Sequence, residues 1–152
     1  MTTATAENLS DDRTPDMAYD VDEDVIKLLA EIGLSAAIRG CGEAARPIFD
    51  AMALFKPDNP LAVIGKALGE ISENRPEDAI ATLRAADANS DDSPNEMRAI
   101  LLLALCIAGH QVDASLLCRR LLDGAGGPSQ QIALRLKPII DAGLPKPESA
   151  NG

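Results

Sequence analysis

The residue types that could carry out catalysis lie together around the single histidine of the chain, His110. Asp113, Ser115 and Cys118 follow it, so a base, an acid and two nucleophiles occur in one short segment. A catalytic triad requires the base and the nucleophile to lie within hydrogen-bond reach of each other. His110, however, lies in a predicted turn, and Cys118 falls at a predicted core position. We therefore expect no catalytic residue, and we predict that the protein is not an enzyme.

Metal and cofactor sites are not indicated either. The three cysteines, Cys41, Cys106 and Cys118, are widely spaced, and the chain has no Cys-x-x-Cys pair and no calcium-loop spacing. We interpret them as buried, reduced thiols of a cytosolic protein. The glycine-rich segment 124–127 is not followed by Lys-Ser or Lys-Thr, which a phosphate-binding loop requires. We expect neither a metal nor a cofactor.

Composition and charge narrow the class of partner. Apolar residues make up 46% of the chain and aromatic residues only 2%. A core built from Ala, Leu and Ile favours helices, so we predict an all-α protein. The net charge of −10 is concentrated in residues 1–24, which hold eight acids and one base, Arg13. Because nucleic acids are bound through cations, we expect no nucleic-acid partner.

The sequence shows neither a membrane-spanning segment nor a secretory signal. The densest apolar run, residues 99–108, is about half as long as a membrane span. Residues 1–16 lack the apolar region of a secretory signal. We therefore predict no membrane insertion and a cytoplasmic location.

Apolar periodicity, interrupted by glycine and proline, predicts one helical domain over residues 22–142. Its parts are three helical hairpins and a last helix, at about residues 23–55, 60–87, 95–123 and 128–142. Asp22 or Asp24 is expected to cap the first helix. Pro47 is expected to delay the start of the second helix or to bend it.

Both ends of the chain differ in composition from this domain. Residues 1–21 are acidic and have no periodicity, which predicts a disordered arm that could order on a partner. Residues 143–152 are predicted to be a flexible tail.

The first two hairpins repeat each other with a period of 34 residues. When residues 29–57 are aligned with the residues 34 positions later, small residues match small residues and large apolar residues match apolar residues. The residues that this comparison assigns to packing between helices are Gly33, Ala45, Phe49, Ala67, Ala79, Leu83, Ala86 and, in the third hairpin, Ala114.

This pattern resembles the tetratricopeptide repeat, whose two-helix unit has that period. The match is good in the first copy, which reads Leu29, Gly33, Ala45 and Phe49, and weaker in the third, where Leu102 replaces a small residue. The resemblance implies three hairpins in a right-handed solenoid with the last helix as its cap.

In such arrays the first helix of each hairpin lines a concave groove. The groove positions of this chain are almost all apolar, and we predict that they contact a partner: Leu34, Ile38, Leu61, Ile64, Leu68, Ile71, Leu103 and Ile107. An open apolar groove of this size needs a cover. An amphipathic helix of a protein client would supply one.

The size and layout are similar to the small chaperones of type III secretion systems, most of all the YscG-like needle-subunit chaperones. That resemblance implies a needle or translocator subunit as the client. It also implies a second small helical co-chaperone bound to the first hairpin.

Two alternatives remain at this stage. The protein could be a self-associating structural module, whose groove is closed by a homodimer partner or by its own terminal segments. It could also be a regulatory binder whose acidic arm attracts a basic partner.

Overall fold

The structure is a computed structural model that describes residues 21–57, 59–89, 94–124 and 126–146. Over these residues the chain forms seven α-helices and no strand, so the all-α prediction is confirmed. The helices are α1 (Glu23–Ile38), α2 (Gly42–Phe55), α3 (Pro60–Ser72), α4 (Pro76–Ala88), α5 (Asn95–Ala108), α6 (Gln111–Leu122) and α7 (Pro128–Ala142). The predicted arm lies outside the described residues except for Val21, as does most of the predicted tail.

Local sequence signals account for several helix ends. Asp22 caps α1, because its Oδ1 accepts a hydrogen bond from the backbone N–H of Asp24 at 3.1 Å. Asn59 caps α3 in the same way. The turn between α5 and α6 is made by Gly109, which has a left-handed backbone with φ 78°.

Of the two effects expected of Pro47, the late start of α2 is wrong, and the bend stays a prediction. The helix begins at Gly42, and Pro47 lies inside it. A proline at this depth has no N–H to donate to the carbonyl four residues earlier, so it costs the helix one hydrogen bond. Packing of the helix therefore outweighs that loss.

The helices form two layers. In the first layer, α1 contacts α3, α3 contacts α5, and α5 contacts α7. In the second layer, α2, α4 and α6 each contact only the helix before and the helix after them in the chain. Because the connections are short, successive helices run antiparallel, and all helices of one layer point the same way.

The core is divided into two clusters. One cluster lies mainly in the first hairpin around Phe49 and Met52, and the other extends from α3 to α7 around Leu83, Leu102 and Leu105. Leu68 of α3 packs against both clusters, so it joins the first hairpin to the rest of the molecule.

Among the helices of the described ranges, none combines the length and the apolar character that crossing a membrane requires.

Candidate functional site

The potential catalytic residues around His110 do not converge. Each of the four is bound to a different group: His110 Nε2 to Glu77 Oε1 at 2.7 Å, Asp113 Oδ2 to Arg84 at 2.6 Å, Ser115 Oγ to the Gln111 carbonyl at 2.8 Å, and Cys118 Sγ to the Ala133 carbonyl at 3.5 Å. These partners lie on α4, α6 and α7. Each interaction holds one helix or links it to a neighbour, and none of them pairs a base with a nucleophile.

The cysteines differ in their surroundings. Cys41 is exposed, whereas Cys106 and Cys118 are buried. Burial raises the pKa of the Cys106 thiol to about 11, and it also raises the pKa of Cys118. In the part of the chain that the structure describes, no three His, Cys, Asp or Glu side chains are grouped so that they could hold a metal ion.

The residues assigned to packing between helices lie in the interior. Seven of them are buried, and Ala86 is half-buried against the larger core cluster. At Gly33, an added Cβ atom would lie 2.7 Å from the ring of Phe49. The small residues therefore permit α1 and α2 to approach closely.

The predicted groove residues divide into three groups by burial. Leu34, Leu68 and Leu103 stand at the same position of α1, α3 and α5, and each is half-buried. We call these three residues the leucine row. Because α1, α3 and α5 are neighbours in the first layer, the leucine row runs across that layer.

Three further groove residues are exposed to solvent near the ends of their helices. Ile38 is 79% exposed at the end of α1, and Ile107 is 43% exposed near the end of α5. Leu61 is 38% exposed at the start of α3. These side chains widen the apolar surface on both sides of the leucine row.

The remaining two predicted contacts face inward to different degrees. Ile71 is half-buried against the larger core cluster, and Ile64 is a buried member of that cluster. Ile64 therefore contributes packing rather than a contact surface. The apolar face is narrower than the sequence suggested.

The last helix does not cover this face. Within the described residues, α7 contacts only α5 and α6, and it makes no contact with α1 or α3. It occupies the end of the first layer, where a fourth hairpin would begin. Closure of the face by α7 is thus excluded for α1 and α3.

A second apolar surface lies at the other end of the stack. Val25, Leu28 and Ile32 are 45–55% exposed on one side of α1. Leu28 and Ile32 also line a cleft of about 560 Å³ between α1 and the start of α2. The equivalent side of α3 is covered by the first hairpin, whereas α1 has no helix before it in the described chain.

An ion-pair network joins the first two hairpins. The carboxylate of Glu73 accepts hydrogen bonds from Arg75 and, at 3.0 Å, from Arg46 of α2. The Arg75 guanidinium, with a smaller contribution from Arg46, holds the pKa of Glu73 below its usual range. The backbones meet here too, because a Cβ atom on Gly42 would lie 2.6 Å from the Gly69 carbonyl oxygen.

Comparison with known protein families, with curated proteins and with solved structures finds no match.

Proposed function

We propose that this protein is a non-enzymatic adaptor or chaperone that binds an amphipathic helix of a protein client across the leucine row. In this proposal the three hairpins stack as tetratricopeptide-like repeats in a right-handed solenoid, and α7 is the cap. The observation that carries the proposal is the leucine row itself, since three half-buried leucines share one position on three adjacent helices.

The spacing of the row suits a helical ligand. Neighbouring packed helices lie about 8–10 Å apart, so the three leucines should follow one another at about that interval. A helix rises about 10 Å in seven residues. A client helix lying across α1, α3 and α5 would therefore place apolar side chains at i, i+7 and i+14 against Leu34, Leu68 and Leu103.

The apolar area is sufficient for reversible binding. Full burial of a leucine or isoleucine contributes about 1.5–3 kcal/mol, and these side chains are already partly buried. The leucine row with Ile38, Leu61 and Ile107 would contribute on the order of 5–10 kcal/mol before the cost of association is subtracted. We expect a single client helix to bind weakly, with a dissociation constant on the order of 0.1 mM or above.

The identity of the client rests on resemblance alone. A type III needle or translocator subunit would present an aggregation-prone amphipathic helix, and its burial until export would be the chaperone activity. The predicted co-chaperone would bind the exposed side of α1 that carries Val25, Leu28 and Ile32. Co-purification of the chain with such subunits tests this assignment separately from the binding mode.

A display library of amphipathic helices tests the binding mode. Selection on the immobilised protein should enrich helices with apolar residues at i, i+7 and i+14, and one enriched helix should displace another. Enrichment of sequences without that period would contradict the proposal. So would sedimentation of the purified chain as a homodimer that takes up no library helix, because the face would then be closed by a second copy.

A further inference from the structure

A cleft of about 430 Å³ lies on the second layer, on the side of the molecule away from the leucine row. It runs between α4 and α6, and α5 forms its floor with Leu101 and Leu105. Three arginines, Arg84, Arg98 and Arg120, line it together with two aspartates. A concave apolar floor with a few charged groups on its rim is typical of a binding site.

The lining of the cleft includes a departure of the third hairpin from the pattern of the first two. At the start of α5, Arg98 stands where the first two copies have the apolar Leu29 and Val63. Arg98 therefore lines an open cleft instead of filling a core position.

The charges of the cleft are only partly neutralised. Arg84 bridges the cleft to Asp113 of α6 at 2.6 Å, and Arg98 is bound more loosely to Asp87 at 3.4 Å. No acid among the described residues lies within ion-pair distance of Arg120. An apolar segment that carries carboxylates could therefore bind the floor with its apolar side chains and the arginines with its charge.

The chain contains a segment with this chemistry. Residues 1–20 hold five acids against one base, Arg13, and they include Leu9 with Asp11 and Asp12 close behind it. The described chain begins at Val21, beside the first core cluster. Helix direction places the start of α1 at the same end of the molecule as Asp87, Arg98 and Arg120.

The segment that links Leu9, Asp11 and Asp12 to Val21, here called the tether, is long enough to reach the cleft. The start of α1 is separated from the cleft by two helix spacings within the first layer and one between the layers, which amount to about 30 Å at most. The nine residues that separate Asp12 from Val21 span about 30 Å when extended, and those back to Leu9 about 40 Å.

We propose that the arginine-lined cleft between α4 and α6 binds the acidic N-terminal segment of its own chain, residues 1–20. Arg120 and Arg98 receive the carboxylates, and the leucine floor receives an apolar side chain. This inference does not depend on the client proposed for the leucine row, which lies on the other side of the molecule.

Competition with an added peptide tests the proposal. The probe is a fluorescein-labelled peptide of residues 1–20, titrated into two full-length proteins, the natural chain and the Asp11→Lys/Asp12→Lys variant. In the natural chain the arm competes with the peptide, because a short tether gives the arm an effective concentration on the order of 1 mM. The arm of the lysine variant should not compete, so this variant should bind the peptide about tenfold more tightly. Equal affinity of the two proteins would overturn the proposal.

Adjacent arginines supply a matched control. Introducing Arg120→Glu into the Asp11→Lys/Asp12→Lys variant should weaken binding of the peptide about tenfold. Arg119→Glu changes the charge equally, but Arg119 does not line the cleft, so it should leave the affinity unchanged. Equal losses would indicate general attraction between charges and would overturn the proposal. The natural chain could instead form concentration-dependent dimers that the lysine substitutions abolish. That result would show the arm bound to a second copy, and it would also overturn the proposal.

Discussion

The ring of Phe49 lies against the backbone of Gly65, so closely that a Cβ atom on this glycine would overlap the ring. The same ring also meets Gly33. Phe49 belongs to α2, whereas the two glycines belong to α1 and α3. One aromatic side chain therefore joins the two helices of the first hairpin to the first helix of the second.

This contact predicts opposite effects for two alanine substitutions in α3. Gly65→Ala should destabilise the protein by about 1–3 kcal/mol, because the ring of Phe49 must move out of a packed core. Gly69→Ala is the control, since the nearest atom to its added Cβ lies at 3.7 Å, an ordinary contact. Replacing a helical glycine without a clash should stabilise by about 0.5–1 kcal/mol. Urea denaturation measures both, and equal midpoints for the two variants would contradict the packing described.

The Glu73 network predicts a pH dependence. Because the pKa of Glu73 is lowered from its ordinary value of 4.5, chiefly by the hydrogen bond from Arg75, the ionised carboxylate favours the folded state. That contribution is complete above the unfolded pKa and is lost as the pH falls through the lower, folded pKa. Glu73→Gln should therefore be less stable than the natural chain at pH 7, and the difference should vanish in acid.

Carbon-13 NMR of the Glu73 carboxyl group measures the shift directly. Arg75→Gln should raise the pKa of Glu73 towards 4.5, and Arg46→Gln should raise it less, since Arg46 contributes less to the shift. A Glu73 titration that neither substitution moves would show that the network does not hold this carboxylate.

The thiols should react in two classes. Cys41 is exposed and should be alkylated in the folded protein. At pH 8 a thiol with a pKa of about 11 is ionised in only about one molecule in a thousand, so Cys106 should react very slowly. Cys118 is also buried and should resist. Mass spectrometry should show one modified cysteine in the native chain and all three in denaturant. Rapid labelling of Cys41→Ser in the folded state would contradict this burial.

The all-α class was predictable because the amino-acid composition agrees with the positions of the residues that start and end helices. Alanine and leucine supply helix propensity, and Pro76 and Asp22 mark helix starts at which the structure also begins or caps a helix. Pro47 misled the prediction of a late start for α2, because the rule for proline describes an isolated helix and not one held by Phe49 and Met52.

The apolar face was harder to predict because periodicity does not say which of two apolar sides is buried. Ile64 and Leu61 both fit a groove position, yet Ile64 lies in the core and Leu61 is partly open. The cleft around Arg120 was not predicted at all. Arg98 is visible in the sequence as a departure from the repeat, but the open volume depends on how α4, α5 and α6 pack together.

The central claim, that the leucine row and the exposed isoleucines beside it bind an amphipathic helix, is tested by the affinity of two variants. Ile38→Asp/Ile107→Asp changes exposed positions, whereas a charge at Leu68 would disturb both core clusters. Val112→Asp is the control, because Val112 is 71% exposed on α6, in the other layer.

Fluorescence anisotropy with a helical peptide enriched on the natural chain compares these proteins, and circular dichroism verifies that they remain folded. The account predicts that Ile38→Asp/Ile107→Asp weakens binding at least about tenfold, from the loss of two apolar contacts, while Val112→Asp leaves it unchanged. Unchanged affinity of Ile38→Asp/Ile107→Asp, or an equal loss in Val112→Asp, would contradict the account.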